Sequence, residues 1–146
     1  MPAAPPTSHA LEIASACLAS RARRLERQLT RLYDDALRGH GLTGAQLGML
    51  VAIQLGGRTN ATAVGRRLDL EKSTVSRNVA RLAAAGLVDA SDGLRITARG
   101  AAAITACHPA WRAAQRRARK ALHPKQGRLL ASLPGPLSHP RPEPGP

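Results

Sequence analysis

The sequence predicts a mainly α-helical chain with one small β-hairpin, and three observations predict it. Apolar residues recur at intervals of three and four over most of the chain. One short stretch, 87–97, switches to period two around an Asp-Gly pair. Prolines gather at the ends: of 11, three fall within residues 2–6 and six within 134–146. The opening 1–7 and the closing, proline-rich 134–146 are therefore expected to be disordered tails. Between them, 8–133 is expected to form a single domain, since 146 residues leave no room for two.

From Ser8 to Arg38 the apolar positions are Leu11, Ala14, Leu18, Ala22, Leu25, Leu29, Leu32, Tyr33 and Leu37, with no Gly or Pro among them. A continuous helix there extends about 45 Å, longer than such a domain needs, and such a helix usually packs on a partner subunit. Gly39-His40-Gly41 ends it. Thr43 and Gln46 have capping-box spacing; the helix behind them points Leu47, Leu50, Val51 and Leu55 inward and stops at Gly56-Gly57. Asn60 caps a short helix, Ala61–Leu68. A tight break at Asp69-Leu70 leads to a second helix, about Glu71 to Ala85, closed by Gly86. Residues 87–90 and 94–97 then read as strands around Ser91-Asp92-Gly93, with a type I′ turn whose two central residues need positive φ. Thr97 caps an alanine-rich helix to about Leu122, which Pro109 should bend or divide. Pro124 opens a last helix ending near Leu133.

Charge narrows the function. Lys plus Arg number 22 against 9 acids, a formal net charge of +13, which favours a polyanionic partner. With one Trp, one Tyr and no Phe, base-stacking modes of single-strand and RNA recognition are poorly supplied; duplex DNA, read by Arg, Lys, Ser and Thr, is the better match. Two cysteines, Cys17 and Cys107, are too few for a disulfide scaffold. No signal peptide or membrane span is legible: the longest uncharged stretch, 39–57, holds six glycines. A cytoplasmic protein making no membrane contact is the expectation.

Two helices joined by a short turn and followed by a hairpin make a winged helix-turn-helix, flanked here by further helices. The winged unit is about 42–97, and the flanking helical segments are about 8–38 and 98–133. A recognition helix enters the major groove, where each base pair shows a distinct donor and acceptor pattern. The helix crossing it must come close, which asks for a small residue, and Gly65 sits there. In EKSTVSRNVARL the inward positions are Val75, Val79 and Leu82; Ser73, Thr74, Ser76, Arg77 and Arg81 point outward. Short hydroxyls approach bases and phosphates without crowding, and Arg77 can take guanine bidentately or grip a phosphate. Lys72, Arg66 and Arg95 complete the candidate DNA-binding set. From Arg58 to Arg81 there are six cations and two acids. The plainer reading, an amphipathic helix pair with a solvated charged face, leaves the agreement of caps, turn, hydroxyls and hairpin unexplained.

YDDALRGHGLTGAQLGMLVAI, EKSTVSRNVARLAAAGLV and LRITARGAAAI together resemble the MarR (multiple antibiotic resistance regulator) transcription factors of bacteria, from about Ala14 to Leu133. The resemblance implies a homodimer with about 8–38 and 98–133 interleaved as the dimerisation region, two winged helices on adjacent half-sites of a pseudo-palindromic operator, and repression relieved by a small, often phenolic ligand or by thiol oxidation. It places Ser73, Thr74, Ser76 and Arg77 where the family reads bases. The family's wing carries an Asp-Arg pair at its tip that reaches the minor groove. This chain has the shorter SDGLR, with Arg95 the only cation left there. The cationic run Arg112, Arg116, Arg117, Arg119, Lys120, Lys125 and Arg128 reads first as a solvated face, and otherwise as extra phosphate contact or a grip on an acidic partner.

Candidate sensors are few. Cys17 lies near the reactive cysteine of the family's hydroperoxide-sensing branch, but aligning Tyr33 with that branch's first-helix Tyr puts Cys17 out of register, and its second Tyr corresponds to Gly44. A small core residue is the plainer reading of Cys17. Tyr33 and Trp111 could line a pocket for a small aromatic effector, or pack in the core. Cys107-His108 lacks further ligands at metal-binding spacing. No cofactor is expected. Without a nucleophile–base pair, a phosphate-cradling loop or a carboxylate pair, catalysis is not expected either. The competing functions are a low-specificity architectural, nucleoid-associated DNA binder and a redox-sensing regulator acting through Cys17.

Overall fold

The computed structural model describes residues 1 and 4–135. Most of the expected closing tail, from 136 on, and residues 2 and 3 of the opening one lie outside them. In chain order the elements are α1 (Ser8–Ala16), α2 (Leu18–Leu37), a 3-10 turn (Arg38–His40), α3 (Gly44–Gly56), α4 (Ala61–Leu68), α5 (Lys72–Ala84), β1 (Val88–Asp89), β2 (Arg95–Ile96), α6 (Ala98–Ala121) and α7 (Pro124–Ser132).

The caps fall where side-chain chemistry puts them. The Thr43 hydroxyl accepts from the Gln46 N–H (3.2 Å) while the Gln46 side chain accepts from the Thr43 N–H (3.0 Å). Asn60 accepts from Ala63 N–H at 2.8 Å and Thr97 from Gly100 N–H at 3.0 Å. Asp34 of α2 also accepts from the Gly44 N–H (2.7 Å), tying α2 to the start of α3. Pro124 stands in the first turn of α7, where its missing N–H costs nothing.

α3 is the hub, touching α2, α4, α5, α6 and β2, while α2 runs along α6. Leu37, Met49, Leu50, Ile53, Val64, Val75, Leu82 and Cys107 form the fully buried core. Gly100 marks its tightest approach: a Cβ there would lie 2.1 Å from the Leu87 carbonyl oxygen and 2.7 Å from Ile96 Cγ1. Gly100→Ala is expected to lower the unfolding free energy by about 1–3 kcal/mol, visible as a lower midpoint in thermal denaturation. An unchanged midpoint would contradict this close packing.

Four expectations are corrected. The helix over 8–38 is two helices, because Cys17 is extended (φ −65°, ψ 108°). No Gly or Pro forces the break; α1 buries nothing and α2 buries only Leu37, so nothing among the described residues holds the first turns in line. Leu55 is 61% exposed, and Met49, Ala52 and Ile53 are buried alongside Leu47 and Leu50. α3 is apolar on nearly every side, so its neighbours, not its periodicity, select the buried face. The hairpin has no type I′ turn. Its register, Val88 with Ile96 and Asp89 with Arg95, leaves five residues in the loop, and of the Asp-Gly pair only Gly93 has positive φ. Asp89 takes both the amide (3.0 Å) and the hydroxyl (2.6 Å) of Ser91, while Leu94 pairs with Thr59 outside the hairpin. Lastly, Pro109 does not divide α6; both it and Thr105, whose carbonyl it deprives of an N–H, are exposed.

Candidate nucleic-acid interface

The α4–α5 crossing is built on two backbone features. Asp69 adopts the left-handed conformation (φ 54°), which Asp tolerates better than most residues, and the Leu70 N–H returns to the Gly65 carbonyl at 2.9 Å. A Cβ on Gly65 would sit 3.1 Å from the Leu70 carbonyl oxygen and 3.4 Å from Val75, so glycine sets how closely α4 crosses α5. Val75 and Leu82 are buried and Val79 packs against the same core.

That burial turns the opposite face outward. Ser73, Arg77 and Arg81 follow one another at intervals of four, on one side of the helix, and all three are exposed, as are Lys72 and Ser76. Thr74 is half-buried, and its carbonyl accepts from the Asn78 side chain at 3.0 Å. Glu71 precedes α5 without a side-chain cap hydrogen bond, leaving the first amides of the helix unblocked for an anion. Among the described residues the ion pairs are Arg38–Asp35, Arg58–Asp92 and Arg95–Asp89. Arg66, Lys72, Arg77 and Arg81 therefore hold charge that no acid in the described chain neutralises.

Arg95 is placed differently. Its guanidinium donates to Asp89 across the hairpin at 3.1 Å, so it braces the strands. Hydrogen bonds from the Ser91 hydroxyl and amide, with that from Arg95, hold the Asp89 carboxyl at about 2, below its usual 3.8; the brace is thus intact above pH 4 and fails as pH falls through 2. Nor is Arg95 the wing's only cation, because Arg58, from the loop between α3 and α4, pairs with Asp92 at the hairpin tip. Sequence reasoning counted Arg58 only as part of the local charge. The Thr59–Leu94 pairing that delivers it involves one residue on each side, too short for an alternation pattern.

The sensor candidates do not converge. Tyr33 donates to the Gln115 side chain at 2.5 Å between α2 and α6, and burial raises its phenol pKa. Trp111 stacks on His108 with ring centroids 5.9 Å apart. Cys17 is half-exposed at the α1–α2 break, not in the core; the Ser20 hydroxyl and amide beside it lower its thiol pKa. Burial raises that of Cys107. A cavity of about 660 Å³ lies elsewhere, lined by His40, Gln46, Arg81, Leu82, Arg99 and Ala103 among others, and by none of Tyr33, Trp111 and Cys17. Its lining comes from the turn after α2 and from α3, α5 and α6, elements with no sequence pattern in common. Among the described residues no group of three or more His, Cys, Asp or Glu could hold a metal, and no helix is long and apolar enough to cross a membrane. The cations of α6 and α7, Arg112 to Arg128, are exposed.

A family model described as MarR family matches residues 40–93. Comparison with curated proteins gives no match. Among solved structures, the M. tuberculosis transcriptional regulator MosR is 32% identical, with a TM-score of 0.69 over 80% of this chain and 91% of its own. MosR in complex with DNA is 30% identical, with a TM-score of 0.63 over 80% and 99%. A probable transcriptional regulator from Pseudomonas aeruginosa is 25% identical, with a TM-score of 0.67 over 81% and 94%. The family model lies over the helix pair and the hairpin loop described above, and the likeness to MosR, over 80% of this chain, extends well beyond them. This chain belongs to the MarR family and is a transcriptional regulator, not an enzyme.

Proposed function

We propose that the protein is a sequence-specific, double-stranded-DNA-binding repressor that acts as a homodimer on a pseudo-palindromic operator and is released by a small ligand. The exposed face of α5 carries this reading: Ser73, Ser76 and Arg77 present short hydroxyls and a guanidinium in none of the ion pairs among the described residues, on a helix long enough to enter a major groove. That the 30%-identical MosR is known in complex with DNA supports it. The dimer is supported by helices that the described residues leave uncovered. α1 and α7 bury no residue, and Leu11, Ile13, Leu18, Leu129, Leu130 and Leu133 stand exposed.

The cavity supports ligand control. Its volume is within the range of small-molecule sites, about 300–1,000 Å³. Arg81 and Arg99 supply positive charge for an anionic group, such as the carboxylate of a small aromatic acid, beside apolar Leu82 and Ala103. Because Arg81 belongs to α5 and Arg99 to α6, a ligand there would bias the position of the recognition helix relative to the dimerisation helices.

The test is to select bound fragments from the source genome and measure affinity for the selected duplex against a scrambled one at a stated salt concentration. A specific site is expected to win by at least about 10³-fold. A ratio near one would instead mark a low-specificity architectural protein.

A further inference from the structure

We propose that Arg58 is a DNA-phosphate contact delivered to the wing tip from outside the wing, with Asp92 orienting its guanidinium until a phosphate takes the carboxylate's place. The proposal rests on the reading of α5 as the recognition helix, since the hairpin that follows α5 lies over the DNA backbone only if α5 lies in the groove.

Three observations carry it. Arg58 is fixed to the tip by backbone pairing: the Thr59 N–H donates to the Leu94 carbonyl at 3.0 Å and the Leu94 N–H to the Thr59 carbonyl at 2.8 Å. The tip is also moulded around this segment. Gly93 is left-handed (φ +79°), and a Cβ there would meet the Thr59 carbonyl oxygen at 3.1 Å, Arg58 Cγ at 3.6 Å and Arg58 Nε at 3.7 Å. Charge supplies the third. The hairpin's own residues, 88–96, hold Asp89, Asp92 and Arg95, a net charge of −1, and Arg95 is engaged by Asp89. Taken alone, this wing would repel a polyanion, and Arg58 reverses that at its tip.

The Arg58–Asp92 pair suits exchange. Its side chains are 61% and 67% exposed, and ion pairs so open to water contribute little. A phosphate, with its fixed charge and bidentate match to a guanidinium, can displace the Asp92 carboxylate without exposing a buried charge.

Two roles for Arg58 remain to be separated: touching phosphate, or merely neutralising Asp92. Binding of a fluorescent mixed-sequence duplex and of the selected operator, measured from about 0.05 to 0.2 M salt, separates them in Arg58→Ala, Asp92→Asn, the double variant Arg58→Ala/Asp92→Asn, and Arg58→Lys. Phosphate contact predicts tighter binding by Asp92→Asn. It predicts weaker binding of both duplexes by Arg58→Ala, with the slope of log K against log salt shallower by about one unit per subunit. The double variant should stay weaker than Asp92→Asn, and Arg58→Lys should keep the wild-type slope. Thermal midpoints of all four should match the parent. If the double variant binds as Asp92→Asn does, with the same slope, Arg58 only neutralises Asp92 and the proposal is overturned. Arg77→Ala serves as the control. If it too leaves operator binding unchanged, the reading of α5 has failed; if it weakens binding while the Arg58 series does not, only the wing contact has failed.

Discussion

Arg77→Ala is expected to lower operator affinity by about 1–3 kcal/mol per subunit, hence about 2–6 kcal/mol in a homodimer that carries the change twice. Affinity for a scrambled duplex should fall far less, because a base contact carries discrimination while phosphate contacts act alike on all sequences. The fold should not be disturbed: Arg77 is exposed and joins none of the ion pairs among the described residues. Fluorescence anisotropy on the two duplexes, with circular dichroism on the variant, reads both quantities. Equal losses on operator and scrambled DNA would reassign Arg77 to a phosphate, and no loss on either would remove α5 from the interface.

Replacing Leu129 and Leu130 together by Asp is expected to convert the protein to monomers and to weaken operator binding by more than about 100-fold. Both leucines stand on α7, 62% and 36% exposed, so the change removes little from the chain's own core. A two-fold interface uses each residue twice. Burying a leucine contributes about 1.5–3 kcal/mol, and four aspartates brought together at that interface would add desolvation and repulsion. Sedimentation equilibrium gives the mass directly. A variant that remains a dimer with unchanged operator binding would show that α7 lies outside the association surface.

The two experiments probe features of very different legibility. The recognition face could be read from spacing, since Val75, Val79 and Leu82 recur at intervals of three and four and leave Ser73, Ser76 and Arg77 opposite them. Caps were legible for a similar reason: Thr43, Asn60 and Thr97 act on amides three residues away, a distance the sequence states outright. α3 was harder, because apolar residues on nearly every side of it leave the choice of buried face to five surrounding elements, and Leu55 went outward. The turn failed on competition. An Asp-Gly pair favours a tight hairpin, but Asp89 captures Ser91 and Leu94 leaves the ladder for Thr59.

The amino-acid order was enough to establish the helix-turn-helix, the hairpin and the excess of positive charge, all of which rest on interactions between near neighbours or on simple counting. The wing cation, the cavity and the fate of the cysteines depended on distant segments meeting. Arg58 reaches the tip through a single pair of backbone hydrogen bonds, the cavity opens among four elements, and Cys17 lies where no packing partner among the described residues keeps the helix continuous. Such meetings follow from how the core closes, and no periodicity in the chain encodes them.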